Sequence, residues 1–218
     1  MIDDSVNYEY IIRYLRDLLP KRNGIMGELE AFAKEYQVPI SQPETMKLLE
    51  VLIRLGRVQS VLEVGCAIGY SAIGMAEAGC EKIDTIEISA DAARVARANF
   101  EKAGLSNRIR LFEGDAKEVL PTLSGSYDMI FMDAAKAQYQ GFFPHCMRLL
   151  KTGGLLVSDN VLYKGMTATD ELLQHRKITI VKRLRQYLTM ISQMPELETS
   201  VLPLGDGVAL SVKKGDSV

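Results

Sequence analysis

From Ser60 onward, short apolar runs alternate with longer amphipathic stretches, and this alternation restricts the chain to a parallel sheet with crossover helices. Val61–Val64, Ile83–Ile86, Arg108–Phe112, Tyr127–Met132 and Leu155–Ser158 read as strands. Tyr70–Ala78, Ala90–Ala103, Ala116–Leu123 and Gln138–Leu150 read as the helices between them, and a longer helix is expected from about Glu171 to Met194. The uninterrupted apolar run Met129-Ile130-Phe131-Met132 fits a strand covered on both faces. The end of the chain, Glu198–Pro203 and Gly207–Lys213, reads as an antiparallel pair about Leu204-Gly205-Asp206-Gly207, because Asp-Gly favours hairpin turns. The expected class is α/β, a doubly wound and mostly parallel seven-stranded sheet with an antiparallel C-terminal hairpin.

Three helices are expected ahead of this pattern. Tyr8 to Leu19 places Ile11, Ile12, Leu15, Leu18 and Leu19 at helical spacing and ends near Pro20. Ile25–Tyr36 is the second, and Glu44–Leu55 the third, with Met46, Leu49, Leu52 and Ile53 turned inward. Between them Val38-Pro39-Ile40-Ser41-Gln42-Pro43 is extended by its two prolines. Residues 1–57 thus read as a helical lid or dimer-forming appendage on a single domain spanning 1–218. No apolar run approaches the length of a membrane span, and Met1-Ile2-Asp3-Asp4 lacks the basic start of a signal peptide. Cys66, Cys80 and Cys146 are odd in number and widely spaced, unlike a disulfide framework, so the expected location is a reduced cytoplasm. A net charge of −2 argues against a protein coated in positive charge for nucleic acid, though not against a local basic face.

In an open parallel sheet, ligands bind at the carboxyl ends of the strands. The run Met129 to Met132 stops at Asp133, with Lys136 three residues on, and Leu155-Leu156-Val157-Ser158 stops at Asp159-Asn160. These donors offer only oxygen, which suits Mg²⁺, Mn²⁺ or Ca²⁺ rather than zinc. A helix cap at Asp133 and a turn at Asp159-Asn160 would explain either segment alone, and their occurrence together favours a metal. His145 and His175 read as surface or structural.

The loop Glu63-Val64-Gly65-Cys66-Ala67-Ile68-Gly69-Tyr70-Ser71 joins the first strand to its helix. Gly65 permits a tight turn and close backbone approach to a ligand, yet the spacing is not that of the dinucleotide fingerprint. Glu87 ends the second strand, placed to accept from two ribose hydroxyls, and Asp115 follows the third, within reach of an adenine amino group. Each alone reads more readily as a helix cap or a surface charge. At successive strand ends they point to a nucleoside cofactor, and no basic residue near Glu87 invites a 2′-phosphate.

The combination of Glu63, Gly65, Gly69-Tyr70-Ser71, Asp133-Ala134-Ala135-Lys136, Tyr139, Asp159-Asn160 and Leu202-Pro203-Leu204-Gly205-Asp206-Gly207 resembles the cation-dependent O-methyltransferases, which include the catechol and caffeoyl-coenzyme-A enzymes. The resemblance runs from about Pro39 to Lys213. It implies a class I methyltransferase (Rossmann-like) fold and S-adenosylmethionine as cofactor, lined by Met46, Glu63, Gly65, Gly69 and Tyr70, together with Ser71, Glu87, Asp115, Ala116 and Asp133. It further implies that Asp133, Asp159 and Asn160 hold Mg²⁺ (or Mn²⁺ or Ca²⁺), that Lys136 is the general base, and that the N-terminal helices form a homodimer. Within the family, Lys136-Ala137-Gln138-Tyr139-Gln140, the stretch from Asp159 to Gly165 and the basic helix beyond are similar to the bacterial tRNA 5-hydroxyuridine methyltransferases, which complete 5-methoxyuridine at the wobble position. The plant caffeoyl enzymes resemble an Asp-Asn-Thr-Leu-Trp pattern, from which this chain departs at Val161 and Tyr163.

That closer likeness implies a tRNA anticodon loop as partner, met by Lys164, Arg176, Lys177 and Arg183. Between His175 and Arg185 lie five Arg or Lys, and no acid occurs from Leu172 to Pro195. Such a patch can grip phosphates, with Arg176, Lys177 and Arg183 expected on one helix face; a plain solvated face is the alternative. A small catechol, caffeoyl or flavonoid-like substrate is the second enzymatic reading. A non-catalytic cofactor- or metal-binding module is the reading of another class.

Overall fold

The computed structural model describes residues 6–215, so the acidic start from Met1 to Asp4 lies outside the described residues. Strands β1 (Ser60–Val64), β2 (Lys82–Glu87), β3 (Ile109–Glu113), β4 (Tyr127–Met132) and β5 (Leu150–Ser158) pair in parallel. Strand β7 (Val208–Lys213) pairs antiparallel with β5 on one side and with β6 (Leu197–Leu202) on the other. The described sheet has seven strands in the order β3-β2-β1-β4-β5-β7-β6. The chain reverses its direction of travel across the sheet between β1 and β4, which makes a crevice at their carboxyl ends the natural ligand site.

Alternation along the central strands sends side chains to two apolar clusters. Val61, Met129 and Phe131 join helices α2 (Gly24–Tyr36), α3 (Pro43–Gly56), α4 (Tyr70–Glu77) and α5 (Ala90–Lys102). Leu62, Val64, Ile130 and Met132 join α6 (Ala116–Thr122), α7 (Tyr139–Leu149) and α8 (Ile178–Gln193) on the opposite face. All four residues from Met129 to Met132 are wholly buried, as a strand covered on both faces requires. Met46, Leu49, Leu52 and Ile53 of α3 enter the first cluster together with Met26, Leu29 and Ala33 of α2. Helices α2 and α3 therefore share the core of the sheet. Helix α1 (Glu9–Asp17) buries only Ile12. Among the described residues no helix is long and apolar enough to cross a membrane, and Cys66, Cys80 and Cys146 are buried free thiols.

Two boundaries differ from the sequence-based expectation by more than a residue or two. Strand β5 begins at Leu150, paired with Tyr127 ahead of an irregularity, rather than at Leu155. Its Lys151-Thr152-Gly153-Gly154 start is polar and glycine-rich, which reads locally as a turn. The helix expected from Glu171 begins instead at Ile178, after a 3₁₀ turn at His175–Lys177. Gln174 is extended (φ −88°, ψ 133°), which breaks any helix run from Glu171 before the 3₁₀ turn.

The turn between β6 and β7 closes against the segment that follows β5. The amides of Val161 and Leu162 donate to the carbonyls of Gly207 and Asp206 at 2.9 and 3.0 Å. Gly207 has φ +88°, and a β-carbon there would lie 2.3 Å from Leu162 Cγ. Gly207→Ala is expected to cost ~2–4 kcal/mol through combined strain and overpacking, lowering Tm by about 5–15 °C. A thermal melt superimposable on wild type would show that the turn relaxes freely.

Candidate active site

A cavity of about 790 Å³ opens at the carboxyl ends of the central strands and is roofed by the α2–α3 connection, residues 37–42. Gly65, Tyr70, Ser71, Glu87, Asp115, Ala116, Asp133, Lys136, Asp159 and Asn160 line it, so the strand-end groups singled out in the sequence converge on one space. Met46, Glu63 and Gly69 do not line it, and Met46 and Glu63 are 0% exposed. These three lie behind the cavity lining. Met46 packs under α4 against the Gly74 position, and Gly69 lies against the Phe100 ring, where a β-carbon would meet Cε1 at 2.5 Å.

Gly65 is demanded twice over. Its φ is +104°, and a β-carbon would approach the Asp133 carbonyl oxygen to 2.5 Å. Ala67, in the same loop, is left-handed at φ 47°, a costly conformation for a residue with a β-carbon. It is held by Glu87, whose Oε2 accepts the amides of Cys66 (3.2 Å) and Ala67 (2.8 Å) while Oε1 accepts Ser89 (2.9 Å). Glu87 thus shapes the loop besides facing the cavity. Asp115 likewise caps α6 by accepting the Lys117 amide at 2.9 Å. The Tyr70 hydroxyl donates to Glu30 at 2.6 Å, fastening α2 over the start of α4.

Beneath this loop the Glu63 carboxyl accepts from the hydroxyls of Ser71 and Thr85, each at 2.5 Å. Complete burial pushes its pKa up to about 7, against the pull of the two hydroxyls.

The oxygen donors form the other half of the cavity. The Asp133 amide donates to Val64 O at 2.9 Å and the Asp159 amide to Met132 O at 3.0 Å, so both residues leave the sheet at the same level. Asp133 accepts Lys136 Nζ on Oδ1 at 2.7 Å and Ser41 Oγ on Oδ2 at 3.4 Å. Asp159 is 1% exposed and accepts the Asn160 amide at 2.7 Å, with Asn160 left-handed at φ 54°. Burial, then repulsion from Asp133, raises the Asp159 carboxyl well above the ordinary range. Burial alone would lower Lys136, but Asp133, Asp159 and Asp206 outweigh it and hold the ammonium form. No cluster of three or more His, Cys, Asp or Glu fit for a metal occurs among the described residues. The set here is two carboxylates and an amide, with charge and donor type suited to a hard divalent cation.

Ser41 and the Val38–Gln42 roof were not singled out as site residues. The two prolines that keep this segment extended were the available signal. The basic residues stand outside the cavity lining. Lys164 is exposed and its amide donates to the Asp206 carboxylate. Arg176 is exposed, Lys177 Nζ lies 5.7 Å over the Tyr163 ring, and Arg183 Nη1 donates to Ala137 O at 3.2 Å. The expected common helix face is corrected: Arg176 and Lys177 belong to the 3₁₀ turn, and only Arg183 belongs to α8.

Because Glu63 is held protonated to about pH 7 in the fold but only to about 4.5 when unfolded, the native state binds more protons between those values. Stability therefore falls as pH rises through this window, by on the order of 3 kcal/mol from this group. Denaturant melts of wild type and Glu63→Gln at pH 5 and 8 should differ in this pH dependence, with the variant flatter. Equal slopes would contradict the assignment.

Residues 21–214 match the family described as O-methyltransferase. A catechol O-methyltransferase of Niastella koreensis is 30% identical over 95% of this chain and 98% of its own. Caffeoyl-CoA O-methyltransferase 2 of Petunia hybrida is 30% identical over 96% of this chain and 91% of its own. Among solved structures, a Staphylococcus aureus protein provisionally named caffeoyl-CoA O-methyltransferase is 35% identical with a TM-score of 0.88, covering 94% of this chain and all of that one (100%). An O-methyltransferase from Bacillus cereus, in complex with SAH, is 25% identical with a TM-score of 0.82, covering 94% of this chain and 97% of that one. Sheet order, strand-end motifs and near full-length matches agree, and the chain belongs to the O-methyltransferase family that includes the catechol and caffeoyl-CoA enzymes.

Proposed function

We propose that the chain transfers the methyl group of S-adenosylmethionine to one of two adjacent substrate oxygens, with a divalent cation held by Asp133, Asp159 and Asn160. The observation that carries this reading is the buried Asp159 beside Asp133 and Lys136, in the same cavity as the Gly65 loop. In a site of this size Gly65, Tyr70, Ser71 and Ala116 would wall the cofactor, with Glu87 the group to accept from its ribose and Asp115 the group for its adenine. The SAH of the Bacillus cereus relative supports that cofactor.

Bound Mg²⁺, Mn²⁺ or Ca²⁺ supplies Lewis acidity, lowering a substrate hydroxyl from a phenolic pKa near 10. Lys136 is the proton acceptor. Its carboxylate neighbours keep it charged; ligation of those carboxylates would weaken that bias and leave burial to favour the neutral amine. The walls of the cavity would restrict how donor and acceptor meet, an entropic gain of about 7–11 kcal/mol in favourable cases.

For the substrate the first reading is 5-hydroxyuridine at the tRNA wobble position, whose 5-hydroxyl and 4-carbonyl are adjacent oxygens. Its support is the basic first half of α8 and the turn before it: Arg183 touches Ala137, the residue after Lys136, so the acid-free stretch from Leu172 to Pro195 flanks the cavity, with Arg176 and Lys177 in the same run and Lys164 ahead of it. The second reading, a small catechol or caffeoyl-type substrate, is favoured by the names of the relatives. A homodimer through the N-terminal helices fits the exposed Tyr10, Tyr14 and Leu18 of α1 and its end, spaced four residues apart.

Methyl transfer by the purified protein should disappear with EDTA and return with Mg²⁺, and Asp159→Ala should lower kcat/KM by about 10²-fold or more. Transfer indifferent to chelation would end the cation reading, and no transfer to any catechol or hydroxylated tRNA would favour a binding module. Wobble 5-methoxyuridine should vanish from cells lacking the gene. Its persistence would leave the small-molecule reading. The pair Arg176→Glu and Lys177→Glu should depress RNA methylation while sparing a small catechol.

A further inference from the structure

The apolar face of α7 carries a phenol into the space directly behind the proposed cation donors. Tyr139 is 0% exposed, and its hydroxyl lies 2.9 Å from Met132 O and 3.0 Å from Asp159 O. Met132 immediately precedes Asp133, so one hydroxyl bridges the main chain on both sides of the site. A second buried phenol completes the arrangement. Tyr187 of α8, also 0% exposed, meets Tyr139 edge to face at 5.5 Å and 72°, and its hydroxyl pairs with Ser158 Oγ at 2.7 Å. Met132 and Ser158 are the last register partners of β4 and β5. The two hydroxyls therefore act where sheet pairing ends and the strands part to present their carboxylates.

Among the described residues, the last ladder-type bond between the two ends is the Asp159 amide to Met132 O, at 3.0 Å. Sheet geometry no longer fixes the spacing of the donors there. Neither tyrosine lines the cavity, so neither can touch substrate or cofactor, and burying a hydroxyl behind a site is costly unless it is satisfied. We infer that Tyr139 and Tyr187 are positioning residues that set the separation of Asp133 from Asp159, and with it the affinity of the site for its cation. This rests on the cation reading above. Tyr139 acts directly on the main chain of Asp159, whereas Tyr187 acts one residue earlier, through Ser158.

The test uses the full chain as wild type, Tyr139→Phe and Tyr187→Phe, with Mn²⁺ affinity read by the paramagnetic resonance of free Mn²⁺, S-adenosylmethionine affinity by calorimetry, and Tm alongside. Groups that orient metal ligands contribute about 10–100-fold to affinity. Tyr139→Phe should weaken Mn²⁺ by about 10-fold and Tyr187→Phe by a smaller factor, with cofactor affinity within about twofold. The Mg²⁺ concentration for half-maximal transfer should rise in parallel, while kcat at saturating Mg²⁺ recovers. A packing role alone would lower Tm and leave Mn²⁺ affinity unchanged, and that result in folded Tyr139→Phe overturns the inference. If Tyr139→Phe does not fold, unchanged Mn²⁺ affinity in Tyr187→Phe overturns it. Wild-type protein that takes up no Mn²⁺ overturns the cation reading itself, and the inference with it.

Discussion

Strand β4 is wholly buried from Met129 to Met132 and pairs on one side with β1 and on the other with β5. A strand held by two ladders and two apolar layers has almost no freedom to slide, because a slip of one residue would exchange its two faces. Asp133 inherits that rigidity at the first position past the sheet. The same register brings Gly65 and Asp159 level with it, since the amide of Asp133 binds β1 and the amide of Asp159 binds β4. The cofactor half and the oxygen half of the cavity are thus products of one set of parallel pairings.

The electrostatics of the cavity run against its burial. Two carboxylates and an ammonium occupy a space from which water is partly excluded, and such groups persist only when each is compensated. Lys136 compensates Asp133 directly, at 2.7 Å, while Asp159 sits deeper and is driven toward its neutral form. The imbalance is the chemical case for a divalent ligand. It also couples the base to the donors, because the charge that keeps Lys136 protonated is the charge a cation would neutralise.

Much of this was legible in the chain because the relevant signals are local. Apolar runs stopping at Asp133 and Asp159 mark strand ends, and the glycine at 65 marks a turn without needing a partner. What stayed hidden depends on contacts between distant segments. Glu63 and Met46 look like site residues by position, yet the face of β1 and the packing of α3 turn them into the core. Glu87 and Asp115 serve the backbone as well as the cavity, a double use that a choice between cap and ligand obscures. The onset of α8 follows the extended backbone of Gln174, and no propensity argument anticipates that. Tyr139 could be placed at a helix start, while its partners, Met132 and Asp159, lie at the ends of two different strands.

The contact between Gly65 and Asp133 bears on how such a site can diversify. A β-carbon at position 65 would lie 2.5 Å from a carbonyl oxygen, so this boundary admits no side chain at all. Backbone abuts backbone, and the spacing between the methyl donor's pocket and the oxygen donors is closed to adjustment by substitution there. The side chains of the roof at Val38–Gln42 remain, by contrast, a part of the lining that substitution can reshape.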